Sequence, residues 1–144
     1  MPVDSIVSAV KNSAVVNDTE SGRFELIDFD ACLMGNAEIV TGLAPYTDYY
    51  VGSAEIVPAY GQEYTTWLNQ LYDDPDMDGY TLGREIVDAF HAFYSQTGEE
   101  WTGFKATLAV VDTHNYMTRM LPLLKEMTGI LQSEAFDQGA VNGK

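Results

Sequence analysis

The sequence has little positive charge and no long apolar run. It contains 7 lysine and arginine residues against 22 aspartate and glutamate residues, which gives a net charge of −15. Because such an acidic chain repels nucleic acids and anionic membrane surfaces, we expect no nucleic-acid partner. Its apolar runs are shorter than the roughly 18 residues of a membrane-spanning helix, so we expect no membrane span.

Cysteine and histidine are also scarce. Cys32 is the only cysteine, which excludes an internal disulfide and a zinc site built on several cysteines.

The N-terminal residues MPVDSIVSAVKNS lack the basic region and apolar core of an export signal. What is abundant is apolar and aromatic content, at 46% and 12% of the residues, which is typical of an ordered globular protein.

Strand-like and helix-like patterns alternate along the chain. Apolar β-compatible runs predict strands over residues 24–29, 47–57 and 104–112. Apolar residues at helical spacing predict helices over 3–10, 63–72, 81–94 and 116–131, and Asn36 is placed to cap a further helix. This order predicts an α/β fold with a mostly parallel sheet and helices on both faces. No linker or repeat divides residues 1–144, so we expect a single domain.

Cys32 is predicted to lie at a strand-to-helix turn. The stretch FELIDFDACLMGN (24–36) joins an apolar strand to the start of the Asn36-capped helix. Ligands bind at the carboxyl ends of the strands in open α/β sheets, and a helix start near the sulfur favours the thiolate. Cys32 is therefore a candidate nucleophile. The alternative is a cysteine that only fills space in the interior.

The stretch DFDACLMGNAEIV, followed by YYVGSAEIVPAYGQEY, resembles the nucleophile segment of the clostripain family of cysteine peptidases, relatives of the caspases. A looser similarity continues through most of the chain. The matching positions are Asp30, Ala31, Cys32, Leu33, Met34, Glu38, Ser53, Glu55, Pro58, Gly61 and Tyr64.

The resemblance implies a caspase-like fold and cleavage of protein or peptide substrates after arginine or lysine, with no required cofactor. Cys32 would be the nucleophile, and its own backbone amide would help to bind the oxyanion. Asp30 would bind the basic side chain in the specificity pocket, and Ser53 and Glu55 would form the opposite wall. Strand alternation would place Asp30 and Cys32 on one face. The alternative for Asp30 is a polar group at a strand end that nearby backbone amides satisfy.

The histidine that such a peptidase needs is missing from the expected place. The resemblance implies a histidine on a strand upstream of the cysteine, but none of the 31 residues before Cys32 is histidine. His91 falls in a predicted helix, and His114 is a weak substitute. We therefore expect a partial, incomplete clostripain-like domain, inactive alone, whose partner is an upstream chain or segment that carries the catalytic histidine.

Maturation by cleavage and truncation are both compatible with such a fragment, and its exposed sheet edge predicts self-association. Because clostripain relatives are commonly exported, the resemblance also suggests a secreted or cell-envelope location. The competing hypothesis is an inactive or regulatory module that binds calcium or basic peptides.

The acidic run at residues 74–85 matches the calcium-loop pattern D-x-D-x-D-G-x5-E. The oxygen ligands would come from Asp74, Asp76, Asp78, the Tyr80 carbonyl and Glu85. The alternative is a turn between two helices in which Asp78 or Thr81 caps the second helix.

Overall fold

The computed structural model describes residues 2–96 and 107–132. The structure divides into two compact units, Met1–Thr113 and His114–Lys144. The single domain that the sequence predicts stays a prediction. None of the helices in the described ranges has the length and hydrophobicity of a membrane-spanning segment.

The strands are β1 (Phe24–Asp28), β2 (Thr47–Gly52) and β3 (Ala109–Asp112). The helices are α1 (Val3–Lys11), α2 (Ala14–Asp18), α3 (Ala37–Leu43), α4 (Tyr64–Asp73), α5 (Gly79–Gln96), α6 (Thr113–Asn115) and α7 (Leu121–Gln132), with a 3₁₀ turn at Ala44–Tyr46 and a π-helical turn at Tyr116–Met120.

The three strands form one mixed sheet in the order β1-β2-β3. β1 and β2 are parallel, with Asp28 opposite Val51, but β3 is antiparallel to β2, with Ala109 opposite Gly52. The predicted α/β class is confirmed, but one of the two described pairings departs from a mostly parallel sheet. The helix α3 lies between β1 and β2 and returns the chain to the starting end, as a parallel pair requires, and α4 and α5 are the described helices between β2 and β3.

Both faces of β2 are covered, as the prediction of helices on both faces requires. Val51 and Tyr50 point to opposite faces and are both completely buried. α5 covers the Val51 face, since a Cβ on Gly83 would lie 3.3 Å from the Val51 side chain. On the other face the Tyr50 hydroxyl donates to the Met34 carbonyl at 2.7 Å, just before α3.

Two predicted strands differ from the observed ones. β1 is only half-buried rather than buried on both faces, because it forms an edge of the described sheet. β2 ends at Gly52 instead of continuing to residue 57, because the Ser53 hydroxyl accepts the Glu55 N–H and forms a turn. The first residues of the predicted third strand, 104–106, lie outside the described residues.

The cap predicted for α3 is confirmed. Asn36 Oδ1 accepts the backbone N–H groups of Glu38 and Ile39 at 3.0 and 3.1 Å. The chain therefore leaves β1, passes through residues 29–36 and enters α3 at the carboxyl end of the parallel strand pair. This connection carries Cys32.

Candidate active site

Cys32 lies on an exposed and strained turn. The next residue, Leu33, has a φ of +61°, a left-handed conformation that costs a leucine about 1 kcal/mol or more. The segment after β2 holds the turn in place, since Leu33 N donates to the Glu55 carbonyl at 3.1 Å and Gly35 N to the Ser53 carbonyl at 2.7 Å. Backbone strain of this kind concentrates at functional sites, where the surrounding structure compensates for it.

Glycine is required at position 35 by the close approach of the two segments. A Cβ on Gly35 would lie 2.8 Å from the backbone nitrogen of Ala54 and 2.8 Å from the carbonyl carbon of Ser53. Those atoms belong to main chain and cannot move aside as a flexible side chain can. The motif glycine therefore lets the turn that carries Cys32 pack directly on the residues after β2.

The Cys32 sulfur has main-chain partners. The backbone N–H of Val57 donates to Sγ at 3.3 Å, and the thiol lies 3.8 Å from the Val57 carbonyl oxygen. The sequence predicts that the start of α3 faces the sulfur, but α3 begins five residues after Cys32 and Asn36 occupies its first free amides. The donor that reaches the sulfur comes from residue 57 instead.

The segment that follows residue 57 forms a cradle for Asp30, which is itself exposed. Asp30 Oδ2 accepts the Gln62 N–H at 3.0 Å and the Tyr64 hydroxyl at 2.8 Å. Gly61, with a φ of +70°, turns the chain so closely around this carboxylate that a Cβ would collide with Oδ2. Its N–H donates to the Pro58 carbonyl at 2.8 Å, so the motif residues Pro58, Gly61 and Tyr64 together position Asp30.

Asp30 and Cys32 share this site for a different reason from the one predicted. The strand ends at Asp28, so neither residue lies on β1 and strand alternation does not relate them. One turn carries both, and the segment 55–64 contacts both. One donor to Asp30 is a backbone amide, as the alternative interpretation predicted, yet the carboxylate keeps enough exposure to meet a ligand.

Sequence reasoning missed a second acid, Asp28, and its partner Gln62. Asp28 is half-buried at the end of β1, and Gln62 Nε2 donates to its Oδ1 at 2.8 Å. Burial raises the pKa of Asp28 to about 6; the Gln62 hydrogen bond opposes this shift and the charge of Asp30 adds to it. The spacing Asp28-Phe29-Asp30 was a visible signal, but nothing local marked Gln62.

Ser53 and Glu55 have separate roles in the structure. Ser53 is completely buried; its hydroxyl donates to the Glu55 carbonyl at 2.9 Å and lies 3.1 Å from the Thr107 hydroxyl. Ser53 therefore supports the segment beside the cysteine turn, and its part in substrate binding stays a prediction. The Glu55 side chain is exposed, and its contact with substrate stays a prediction.

His91 is not among the hydrogen-bond partners of the Cys32 sulfur in the described residues. His91 is exposed on α5. Thr113, immediately before His114, donates to the carbonyls of Thr47 and Asp48 at the start of β2.

The acidic run between α4 and α5 adopts the helix-capping alternative. Asp78 accepts the Thr81 N–H at 2.8 Å and the Thr81 hydroxyl at 3.0 Å, and α5 already begins at Gly79. Tyr80 therefore lies within the helix, and Glu85 contacts Arg84 at 3.3 Å. In the part of the chain that the structure describes, no three His, Cys, Asp or Glu side chains form a metal-binding group. Calcium binding through Asp74, Asp76, Asp78, Tyr80 and Glu85 stays a prediction that this geometry does not assemble.

Comparisons with known proteins point to one family. Residues 7–136 match the model of the clostripain family. A clostripain from Bacteroides thetaiotaomicron ATCC 29148, in complex with the peptide inhibitor BTN-VLTK-AOMK, is 27% identical with a TM-score of 0.57. A B. fragilis cysteine protease is 16% identical with a TM-score of 0.61, and in both cases 80% of this chain is aligned with 44% of the other.

A secreted C11 cysteine protease from Bacteroides thetaiotaomicron, in complex with an irreversible peptide inhibitor, is 20% identical with a TM-score of 0.60 over 80% of this chain and 31% of that one. The chain thus spans less than half the length of these solved relatives. None of the curated proteins matches the sequence. The match over residues 7–136 and the shared caspase-like α/β fold show that the chain belongs to the clostripain family of cysteine proteases.

Proposed function

We propose that this chain supplies the nucleophile and the acidic specificity pocket of a cysteine endopeptidase that cleaves after arginine or lysine. The observation that carries the proposal is the shared use of the segment 55–64. Its Val57 N–H contacts the Cys32 sulfur, while its Gln62 N–H and Tyr64 hydroxyl hold the Asp30 carboxylate. One segment therefore sets the position of an exposed thiol relative to an exposed carboxylate.

In the proposed reaction the Cys32 thiolate attacks the scissile carbonyl carbon and forms a carbon–sulfur bond. The backbone N–H of Cys32 binds the developing oxyanion. The base, protonated when it took the Cys32 thiol proton, gives that proton to the amine as the carbon–nitrogen bond breaks, and water then hydrolyses the acyl-enzyme. Asp30 selects the residue that is cleaved, because a carboxylate forms charge-assisted hydrogen bonds with guanidinium or ammonium groups.

The relative with the peptide inhibitor supports a basic preference. The letters of that inhibitor, BTN-VLTK-AOMK, place a lysine beside the AOMK group. At 27% identity, and with the motif residues Asp30 and Cys32 present here, we extend this preference to the present chain.

The general base, in this proposal, is a histidine of a companion segment outside the present sequence. The Cys32 sulfur contacts main chain of Val57 in the described residues, and His91 is exposed on α5. The edge of β1 that faces away from β2 has no strand partner within residues 2–96 and 107–132. A parallel strand added there would end beside the Cys32 turn. Export of the protein, expected from the family resemblance, stays a prediction.

Covalent labelling tests the proposal. An arginine chloromethylketone should alkylate Cys32 when the companion segment is supplied, and mass spectrometry of the digested chain locates the adduct. The matched glutamate chloromethylketone should react far more slowly, and Cys32→Ala should give no adduct. Absence of labelling by the arginine reagent in the presence of the companion would overturn the peptidase assignment.

A further inference from the structure

Gln62 connects two carboxylates at the candidate site. Its backbone N–H donates to Asp30 Oδ2 at 3.0 Å, and its side-chain Nε2 donates to Asp28 Oδ1 at 2.8 Å. Gln62 is only 4% exposed, so packing holds its side chain in one place. The position of the exposed Asp30 is therefore tied to the half-buried Asp28 through a single residue.

The amide of Gln62 is left incompletely paired by this arrangement. Its Oε1 is buried and has no hydrogen-bond partner in the structure. A buried acceptor without a donor costs free energy, so a glutamine here is not explained by stability alone. The amide is oriented so that Nε2 donates to Asp28, and this orientation leaves Oε1 without a donor.

In the part of the chain that the structure describes, no positive charge balances the pair of acids. Within residues 2–96 and 107–132, neither Asp28 nor Asp30 forms an ion pair. Two carboxylates without a counterion create a negative potential, which complements a cationic side chain from a ligand. The groups that face Asp28 are all neutral or acidic, namely Gln62 from the segment after β2, Asp30 from the β1–α3 connection, Tyr50 from β2 and Tyr64 from α4.

We propose that Asp28 and Gln62 form a positioning unit for Asp30, and that Asp28 supplies a second negative charge that sets how tightly the pocket binds a basic side chain. This inference rests on the proposed function, since it takes the Asp30 pocket as the site of arginine or lysine binding. Asp28 does not touch the ligand. It acts through the Gln62 hydrogen bonds and through its charge.

A dependence on pH follows from this arrangement. Because burial raises the pKa of Asp28 to about 6, the positioning unit carries its second charge above pH 6 and loses it below. A bound cation favours the ionised carboxylate, so a basic ligand binds more tightly at the higher pH. We expect the affinity to fall about three- to tenfold between pH 7.5 and pH 5, as for one partly screened charge pair.

Binding of Nα-acetyl-arginine methylamide to the full chain tests the inference, measured by calorimetry at several pH values. Asp28→Asn keeps an acceptor for Gln62 Nε2 but removes the charge. This variant should bind more weakly than the wild type at pH 7.5 and should lose the pH dependence around pH 6. Asp76→Asn removes the same charge from the exposed acidic loop and should match the wild type in affinity and pH profile.

The outcomes separate this inference from the proposed function. If Asp28→Asn binds as the wild type does at every pH, the positioning unit is overturned while the Asp30 pocket stands. If the wild type binds no probe at any pH, the pocket and the unit are both overturned. Carboxyl ¹³C NMR of the wild type needs no variant: the Asp28 signal should titrate near pH 6 and move to lower pH with the probe. An Asp28 signal that titrates near pH 4 both with and without the probe would also overturn the inference.

Discussion

The site after β1 and the loop between α4 and α5 both concentrate aspartates, but they treat the carboxylates in opposite ways. Burial raises the pKa of Asp28 to about 6, whereas the Thr81 backbone N–H lowers the pKa of the exposed Asp78 below its ordinary value. The donor to Asp28 is 34 residues away in sequence, and the donor to Asp78 only three. An acidic motif therefore gains a half-buried carboxylate when distant residues contact it, and stays a surface turn when its partners are local.

The largest expected effect comes from Asp30, the carboxylate of the proposed specificity pocket. Asp30→Asn should slow labelling of Cys32 by the arginine chloromethylketone about 100-fold, because a lost charge-assisted hydrogen bond is worth roughly 3 kcal/mol. Labelling rates are measured with the companion segment present. Asp76→Asn, in the acidic loop, should label at the wild-type rate. Equal losses in the two variants would mean that net charge, not the pocket, attracts the reagent.

The next effect concerns the cradle around Asp30. Gly61→Ala should lower the free energy of unfolding by about 3 kcal/mol, because alanine is strained at a φ of +70° and its Cβ meets the Asp30 carboxylate. Gly129→Ala is the matched control: it lies in α7 with nothing within 4 Å of the added Cβ, and should stabilise slightly. Urea denaturation measures both. A Gly61→Ala chain as stable as the wild type would contradict the cradle geometry.

Asp28 should reduce stability as pH rises. Its pKa is about 6 in the folded chain against an ordinary value of 3.8, so the folded state binds more protons between these values and the free energy of unfolding falls over that range. Asp28→Asn should remove this loss, and its stability relative to the wild type should improve by about 2 kcal/mol between pH 4 and pH 7.5. Urea denaturation at the two pH values measures the difference, and a constant difference would argue against a buried charge.

Asp78 should show the opposite sign. Its pKa is lowered in the folded state, so its contribution to stability is present above its ordinary pKa and lost as pH falls through the folded value. Asp78→Ala should lower the thermal midpoint at pH 7 through loss of the α5 cap, and the difference from the wild type should shrink in acid. Asp76→Ala, without a cap to lose, should leave the midpoint unchanged. Equal effects of the two substitutions would speak against the cap.

The smallest effect is expected from calcium. Millimolar calcium should raise the thermal midpoint no more than the same concentration of magnesium, because the described carboxylates do not converge on one point. A rise specific to calcium that Asp76→Asn abolishes would show that the ion reorganises the loop. That result would support the calcium site predicted from the sequence.

Features that depend on neighbours in sequence were predictable. The helices α1, α3, α4 and α5 follow from apolar spacing, the Asn36 cap from its residue type, and the turn around Cys32 from the strand before it and the helix after it. The family follows from the DACLM motif, which the match over residues 7–136 confirms. These signals are local, because periodicity, capping and turn formation involve residues within about four positions of one another.

Features that depend on residues distant in sequence were not predictable from the sequence. The direction of β3 and the burial of Ser53 were decided by packing. The end of β2 was decided by a local turn between Ser53 and Glu55, which the apolar pattern did not indicate. The calcium site stays a prediction, because spacing specifies which oxygens are available but not whether the backbone brings them together.

The sequence by itself determined that this is an acidic α/β chain of the clostripain family with a cysteine and an aspartate two residues apart after a strand. Only the tertiary structure decided that residues 55–64 contact both side chains and that Gln62 links Asp28 to Asp30. It also decided that burial raises the pKa of Asp28 to about 6. The physical reason is that burial and hydrogen-bond partners come from segments about 30 residues apart, and their approach depends on the packing of the whole sheet.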